Sequence, residues 1–153
     1  MLAVAGCAGP TPAGSATPTS SVRPVTPAAC IVLPRPKALG GGRLTATQLT
    51  QVVPDTLGER LTYGVGRRTL RLWAGGDATD LLEDLDLQEH RTAREDVRAW
   101  TTKLQPGLVL VVRRTAAGPG CGQLSLFGHG LTLAQAVREV ARLRVRRTEG
   151  GIE

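Results

Sequence analysis

Residues 92–112 read TAREDVRAWTTKLQPGLVLVV, and the reading of this stretch decides the fold. Thr92 and Glu95 have the spacing of a capping box, with Ala93, Val97, Trp100, Thr101 and Leu104 on one helical face. Val97, Ala99 and Thr101 also alternate as on a strand. The residues beyond Leu104 tip the balance toward strand: Pro106-Gly107 suits a type II turn, and Leu108–Val112 is the unbroken apolar run of a central strand. Strand, tight turn, strand is therefore the expectation here.

Working outward toward the C-terminus, Ala116–Gly120 reads as a loop, and Leu124 and Leu126 mark a further strand. The clearest helix comes last. Thr132 and Gln135 form a capping box, and Leu133, Ala136, Val137, Val140 and Ala141 make one apolar stripe. Arg142, Arg144, Arg146 and Arg147 crowd the expected C-terminal end, where the macrodipole favours cations. Toward the N-terminus, Leu61, Tyr63 and Val65 alternate, as do Leu70, Leu72 and Ala74, around the turn Gly66-Arg67-Arg68. This is a hairpin that Gly75-Gly76 ends. Asp77 to Leu85 places Ala78, Leu81, Leu82 and Leu85 at helical spacing behind an acidic first turn, and Thr45 with Gln48 offers a cap for another short helix that Pro54 stops. The order of elements predicts one α+β domain over residues 30–148, with a mainly antiparallel sheet, short helices on one face and a C-terminal helix. Residues 149–153 are expected to be a disordered tail.

The N-terminal region has another character. Residues 10–29, PTPAGSATPTSSVRPVTPAA, are almost all small, polar or proline and cannot build a core. They read as part of a tether over residues 8–29, able to hold a domain up to roughly 60 Å from its attachment at about 3.1 Å per residue. In front of them, Val4-Ala5-Gly6-Cys7 resembles a bacterial lipobox: a branched apolar residue and two small ones before the cysteine that takes a diacylglycerol thioether. The resemblance implies that Cys7 is the lipid-attachment residue and that acyl chains hold the protein on the outer side of a membrane. Residues 1–7 would be the end of a signal. Only Met1–Gly6 precede the cysteine, with no Arg or Lys, so the frame is expected to be truncated at its start. The alternative is a disordered small-residue tail on a cytosolic protein.

With Cys7 lipidated, Cys30 and Cys121 remain as an even pair, and in an oxidising compartment they are expected to join in a disulfide. Closing a loop of about ninety residues would stabilise the fold by roughly 4–5 kcal/mol in the chain-entropy model. The other possibility is two separate buried thiols. The stretch from Leu108 through Cys121-Gly-Gln-Leu-Ser-Leu to Gly130-Leu-Thr-Leu and the last helix is similar to the ending of small actinobacterial lipoproteins of unknown function. It is also similar to the extracytoplasmic domains attached to some anti-sigma factors. The motif is structural and implies no chemistry.

The net charge is +6 and the pI near 10.2. Of 19 basic residues only Lys37 and Lys103 are lysine, which reflects the codon bias of a GC-rich genome as much as any partner. Binding of single-stranded nucleic acid also needs aromatic platforms, and Trp73, Trp100, Tyr63 and Phe127 are the whole supply. Nucleic acid is therefore not the expected partner, although a cytosolic Arg-rich nucleic-acid binder stays as an alternative reading. Arg67-Arg68, Arg113-Arg114 and Arg146-Arg147, if brought to one face, would suit an anionic wall polymer or anionic lipid headgroups, and an envelope protein is the other expected partner.

Catalytic, cofactor and metal residues are not expected. Ser125 lies mid-strand without a G-x-S-x-G setting and reads as a strand surface residue. His90 and His129 stand far apart and read as exposed loop residues rather than zinc ligands. Asp77, Asp80, Glu83, Asp84 and Asp86 lack the order of a calcium loop and suit a helix start. Gly128-His129-Gly130 reads as a tight turn into the capped helix, since Leu133 stands where a dinucleotide loop needs a third glycine. The expected function is a membrane-tethered, extracytoplasmic lipoprotein whose domain is a non-enzymatic binding or accessory module, with no small-molecule substrate evident. An enzyme with a site hidden from sequence remains the other alternative.

Overall fold

The computed structural model describes residues 9–19 and 25–149; Cys7 lies outside the described residues. Residues 9–19 are exposed and carry neither helix nor strand. The folded elements run β1 (Ala28–Leu33), β2 (Ala38–Leu39), β3 (Gly42–Val53), β4 (Thr56–Val65), β5 (Arg68–Ala74), a 3-10 turn (Asp80–Leu85), β6 (Leu87–His90), β7 (Val97–Thr102), β8 (Leu108–Arg114), β9 (Gln123–His129), α1 (Leu133–Arg142) and β10 (Arg144–Thr148).

The strands form one sheet in the order β10-β1-β4-β5-β9-β8-β7-β6, with β3 on the other edge of β4 and β2 beyond it. All pairs are antiparallel except β1 with β4, which meet only over Thr56–Gly58; the rest of that β4 edge, Arg60–Val65, pairs with β5. Strand alternation then sorts the side chains into two faces. The inner face carries Leu61, Tyr63, Leu70, Leu72, Ala74, Leu124, Leu126, Val109, Val111, Val97 and Ala99, all buried. Ala136 and Val140 of α1, with Val32 of β1 and Leu143, cover this face and complete the main core. The outer face carries Trp73, Phe127, Leu110, Val112 and Trp100, over which the segment holding Ala78, Leu82 and Leu87 packs as a second, smaller core.

This arrangement overturns the expected α+β class. The chain is mostly antiparallel β, 49% strand and 11% helical, and α1 is the single α-helix among the described residues. Thr45–Leu49, expected to start a helix, lies inside the long edge strand β3, and Thr45 Oγ1 donates to the Thr62 carbonyl across the β3–β4 pair at 3.1 Å. A capping signal is local, whereas this threonine is used by a partner strand. Of the helix expected over Asp77–Leu85, only the 3-10 turn forms, and it covers the outer face, opposite α1. Helices on one face of the sheet is thus not the architecture.

Other expected elements are present. Val97–Thr102 is strand β7, and Thr92 caps nothing: its hydroxyl donates to the carbonyls of Arg94 and Val97 and shapes the turn into that strand. The β4–β5 hairpin turns at Gly66, and α1 has the Thr132/Gln135 capping box in full. Its C-terminal end is held differently from expectation. Arg144, Arg146 and Arg147 belong to β10, and the last carbonyls of the helix are taken by Arg113 of β8, whose Nη1 donates to Ala141 at 3.0 Å and Leu143 at 2.7 Å. A guanidinium at that position satisfies orphan carbonyls and complements the dipole together.

Candidate functional site

Cys30 on β1 and Cys121 in the loop before β9 form a disulfide, with Cα atoms 5.4 Å apart and 91 residues of separation. It ties the β1–β10 ribbon to the end of the β5–β9 pair. Gly75 ends β5 there at φ +84°, and a Cβ on it would come within 2.9 Å of Cys30 Sγ and 2.8 Å of the Gly120 carbonyl. Only glycine fits this close approach.

A buried carboxylate that the sequence reading missed lies on the inner face. Glu59 of β4 is fully buried; its Oε2 accepts the Val32 N–H at 2.9 Å, and its Oε1 accepts from Arg35. Nearby, the Tyr63 hydroxyl donates to the Pro36 carbonyl at 2.9 Å. Burial pushes the Tyr63 phenol up to about 12, with the Glu59 carboxylate adding to the rise and Arg35 opposing it. Both Glu59 oxygens are engaged and the group has no access to solvent, so the cluster fixes the 31–37 segment against β4. It offers neither a base nor a nucleophile to a substrate. Asp96, just before β7, bridges Arg94 and Arg113, each at 2.9 Å, and their hydrogen bonds hold its carboxyl down at about 2.

The other expected candidates are dispersed. Ser125 is not a surface residue: it is fully buried on β9 and its hydroxyl donates to the Gly76 carbonyl at 3.2 Å. His90 and His129 end strands β6 and β9 and are half-buried rather than loop residues; His90 Nε2 lies 2.6 Å from Thr101 Oγ1. Among the described residues no three His, Cys, Asp or Glu side chains gather as a metal site would require. The three arginine pairs do not converge. Arg113 serves the inner face, and Arg147 donates to the Pro119 carbonyl at 2.9 Å.

Arg67 and Arg68, however, join Arg71 and His129 around an outer-face groove of about 520 Å³ whose floor includes Leu108 and Phe127. Asp84 is its one acidic lining residue. None of these three arginines is in an ion pair among the described residues. Beside this groove the start of β5 and the end of β9 approach closely: Gly128 has φ +134°, and a Cβ there would sit 2.1 Å from the Thr69 carbonyl oxygen.

Three of the four aromatic rings carry their own guanidinium: Arg60 over Trp73 at 5.0 Å, Arg71 over Phe127 at 5.9 Å and Arg98 over Trp100 at 5.0 Å. Trp100 and Phe127 are otherwise buried, and Tyr63 wholly so.

At the opposite end of the β5–β9 pair lies a second groove, of about 450 Å³, lined by Gln51, Trp73, Asp77, Asp80, Gln123 and four glycines. Four buried side-chain polar atoms find no partner among the described residues: Trp73 Nε1 and Gln123 Oε1, which belong to residues of this lining, and Thr50 Oγ1 and Arg60 Nε, which do not. Each such group costs about 1–3 kcal/mol when left unsatisfied. No helix among the described residues is long and apolar enough to cross a membrane. The chain matches no family model, no curated protein and no solved structure.

Proposed function

We propose that the chain is a lipid-anchored extracytoplasmic module of the bacterial cell envelope, with Cys7 as the acylated residue and a non-enzymatic domain that binds an anionic envelope partner. The disulfide between Cys30 and Cys121 carries this reading. Such bonds persist in oxidising compartments, and this one leaves Cys7 as the odd cysteine of three in the sequence. The lipobox resemblance of Val4-Ala5-Gly6-Cys7, the tether-like composition of residues 8–29 and the likeness of the C-terminal third to actinobacterial lipoproteins point the same way. For the partner, the support is the groove of Arg67, Arg68, Arg71 and His129, whose guanidiniums suit a wall polymer with spaced negative charges or an acidic protein surface. A cytosolic nucleic-acid binder has less support, because the rings that would stack bases are covered by the chain's own arginines.

The test is metabolic labelling. Expressed from its chromosomal locus in cells fed labelled palmitate, the protein takes up label, and the Cys7→Ala form does not. Equal labelling of the two forms, or of neither, contradicts the lipoprotein reading.

A further inference from the structure

We infer that the outer edge of β3 is a self-association surface, on which a second copy of this chain lays its own β3 antiparallel to make a two-fold dimer. β2 covers this edge only at Gly42 and Arg43, and the Leu44 N–H donates to the Lys37 carbonyl at 3.0 Å. From Thr45 to Val53 no strand pairs with the edge among the described residues, so alternate backbone N–H and C=O groups point away from β4 without a partner strand. Leu44–Val53, LTATQLTQVV, holds no charge, proline or glycine, and its Thr, Leu and Val suit extended backbone. Thr45, Ala46, Thr47, Gln48, Gln51 and Val53 are exposed. The sheet's other free edges are defended. β10 carries Arg144, Arg146 and Arg147 within five residues, and β6 is four residues long with Glu89 paired to Arg98. Bulges interrupt β3 between Leu44 and Ala46 and between Gln51 and Val53, and they leave Ala46–Gln51 in unbroken register with β4.

The ends of this run select the occupant. Lys37 and Arg43 stand at its start, and Asp55 stands past its end in the β3–β4 turn. All three are exposed, and none is in an ion pair among the described residues. Antiparallel pairing of two copies sets the acidic turn of each against the basic end of the other, so both ends are complementary at once. Parallel pairing would set like charges together. Along the run itself the copies meet through uncharged side chains, so the net +6 of each chain puts no like charges across the new ladder. The chain's own N-terminal segment is a poor occupant, because Pro10, Pro12, Pro18, Pro24 and Pro27 have no N–H to donate to a ladder. A two-fold axis normal to the sheet keeps the inner faces on one side and brings the half-buried Leu49 of each copy, which stands opposite Glu59, to the middle of the join. Each chain has one such edge among the described residues, so the contact is isologous and closes at two. Main-chain hydrogen bonds supply the affinity, as in other strand additions.

Sedimentation equilibrium of the full, oxidised, unacylated chain, with Cys7→Ser to prevent cross-linking there, reads the mass directly. A species of twice the 16.1 kDa of one chain is expected, with a Kd below about 100 µM. Thr47→Lys with Gln51→Lys puts charge on two exposed positions opposite Leu61 and Leu57, and is expected to keep the thermal midpoint while weakening the dimer at least about tenfold. Lys37→Glu with Arg43→Glu makes the facing ends alike in charge and is expected to weaken it by a similar factor. Amide hydrogen exchange of the parent needs no variant: protection over 45–53 should rise with protein concentration while that of β6 and β10 stays level. A chain still monomeric at about 200 µM overturns the inference and gives the edge to a strand of another protein. A ladder of larger species overturns it, as does a dimer indifferent to both double variants. Protection over 45–53 that is the same at every dilution also overturns it and marks a segment of the same chain as the occupant. The inference stands apart from the lipoprotein reading, which fails or survives on Cys7 alone.

Discussion

The two faces of the sheet treat polar groups in opposite ways. On the inner face they are consumed: Glu59 is held by Arg35 and Val32, Tyr63 by Pro36, and Arg113 by Asp96 and the end of α1. On the outer face several are left over, although Ser125 is held by the Gly76 carbonyl and Arg98 by Glu89. The four buried polar atoms without partners among the described residues lie there, as does the groove lined by Arg67, Arg68 and Arg71, which enter no ion pair among those residues. Satisfied groups specify a fold, whereas unsatisfied ones cost stability unless something else binds them. The inner face is accordingly where mutations should unfold the protein, and the outer face is where they should change what it binds.

The largest expected effect is on the disulfide of the inner core. Replacing Cys30 and Cys121 by Ser should cost roughly 4–5 kcal/mol in chemical denaturation, given a loop of 91 residues, and hydrogen exchange should rise first at the 115–123 loop. A loss below about 1 kcal/mol would mean that the disulfide stores little of the stability. On the inner face, Arg35→Ala should cost about 2–3 kcal/mol, because it strands a fully buried carboxylate while the arginine itself is 44% exposed. The outer face should respond otherwise. Arg67, Arg68 and Arg71 changed together to Ala should move stability by no more than about 0.5 kcal/mol yet abolish the salt-sensitive retention of long-chain polyphosphate. If this triple variant unfolds, or the inner-face variant does not, the division between faces fails.

The smallest effects concern pH. Tyr63 is the chain's one tyrosine, so its phenolate absorbance reports a single site. The folded phenol is held up at about 12 against an ordinary 10, so its contribution to stability is whole below pH 10 and is lost as pH rises from 10 to about 12. Tyr63→Phe should flatten that alkaline loss. Asp96 acts at the other end: held at about 2 against an ordinary 3.8, it contributes fully above about pH 4 and loses that contribution as pH falls toward 2. Asp96→Asn should remove this acid sensitivity, read from denaturation midpoints against pH.

Much of the inner face was legible because its signals are periodic. The alternation of Leu61 with Tyr63 and of Leu70 with Leu72, the run Leu108–Val112 and the capped stripe of α1 each report a local pattern that burial enforces. The illegible parts depended on partners distant in sequence. Gly42–Val53 is an edge strand whose side chains are largely exposed, so it shows no clean alternation, and the Thr45 capping signal competed with nothing local. Glu59 within a strand reads as a solvent-facing residue until Arg35 and Val32 are brought to it. Neither groove has a sequence signature, because lining residues such as Arg71 and Phe127, or Trp73 and Gln123, become neighbours only through strand register.

One location-bearing residue, Cys7, and one bond, Cys30–Cys121, bear most of the functional reading. Intact mass of the protein extracted from membranes, taken with thiol alkylation before and after reduction, reads both together. The predicted result is an N-terminal Cys7 carrying diacylglycerol, no alkylation before reduction, and alkylation at Cys30 and Cys121 after it. An unmodified Cys7, or free thiols at Cys30 and Cys121 without reduction, would contradict it.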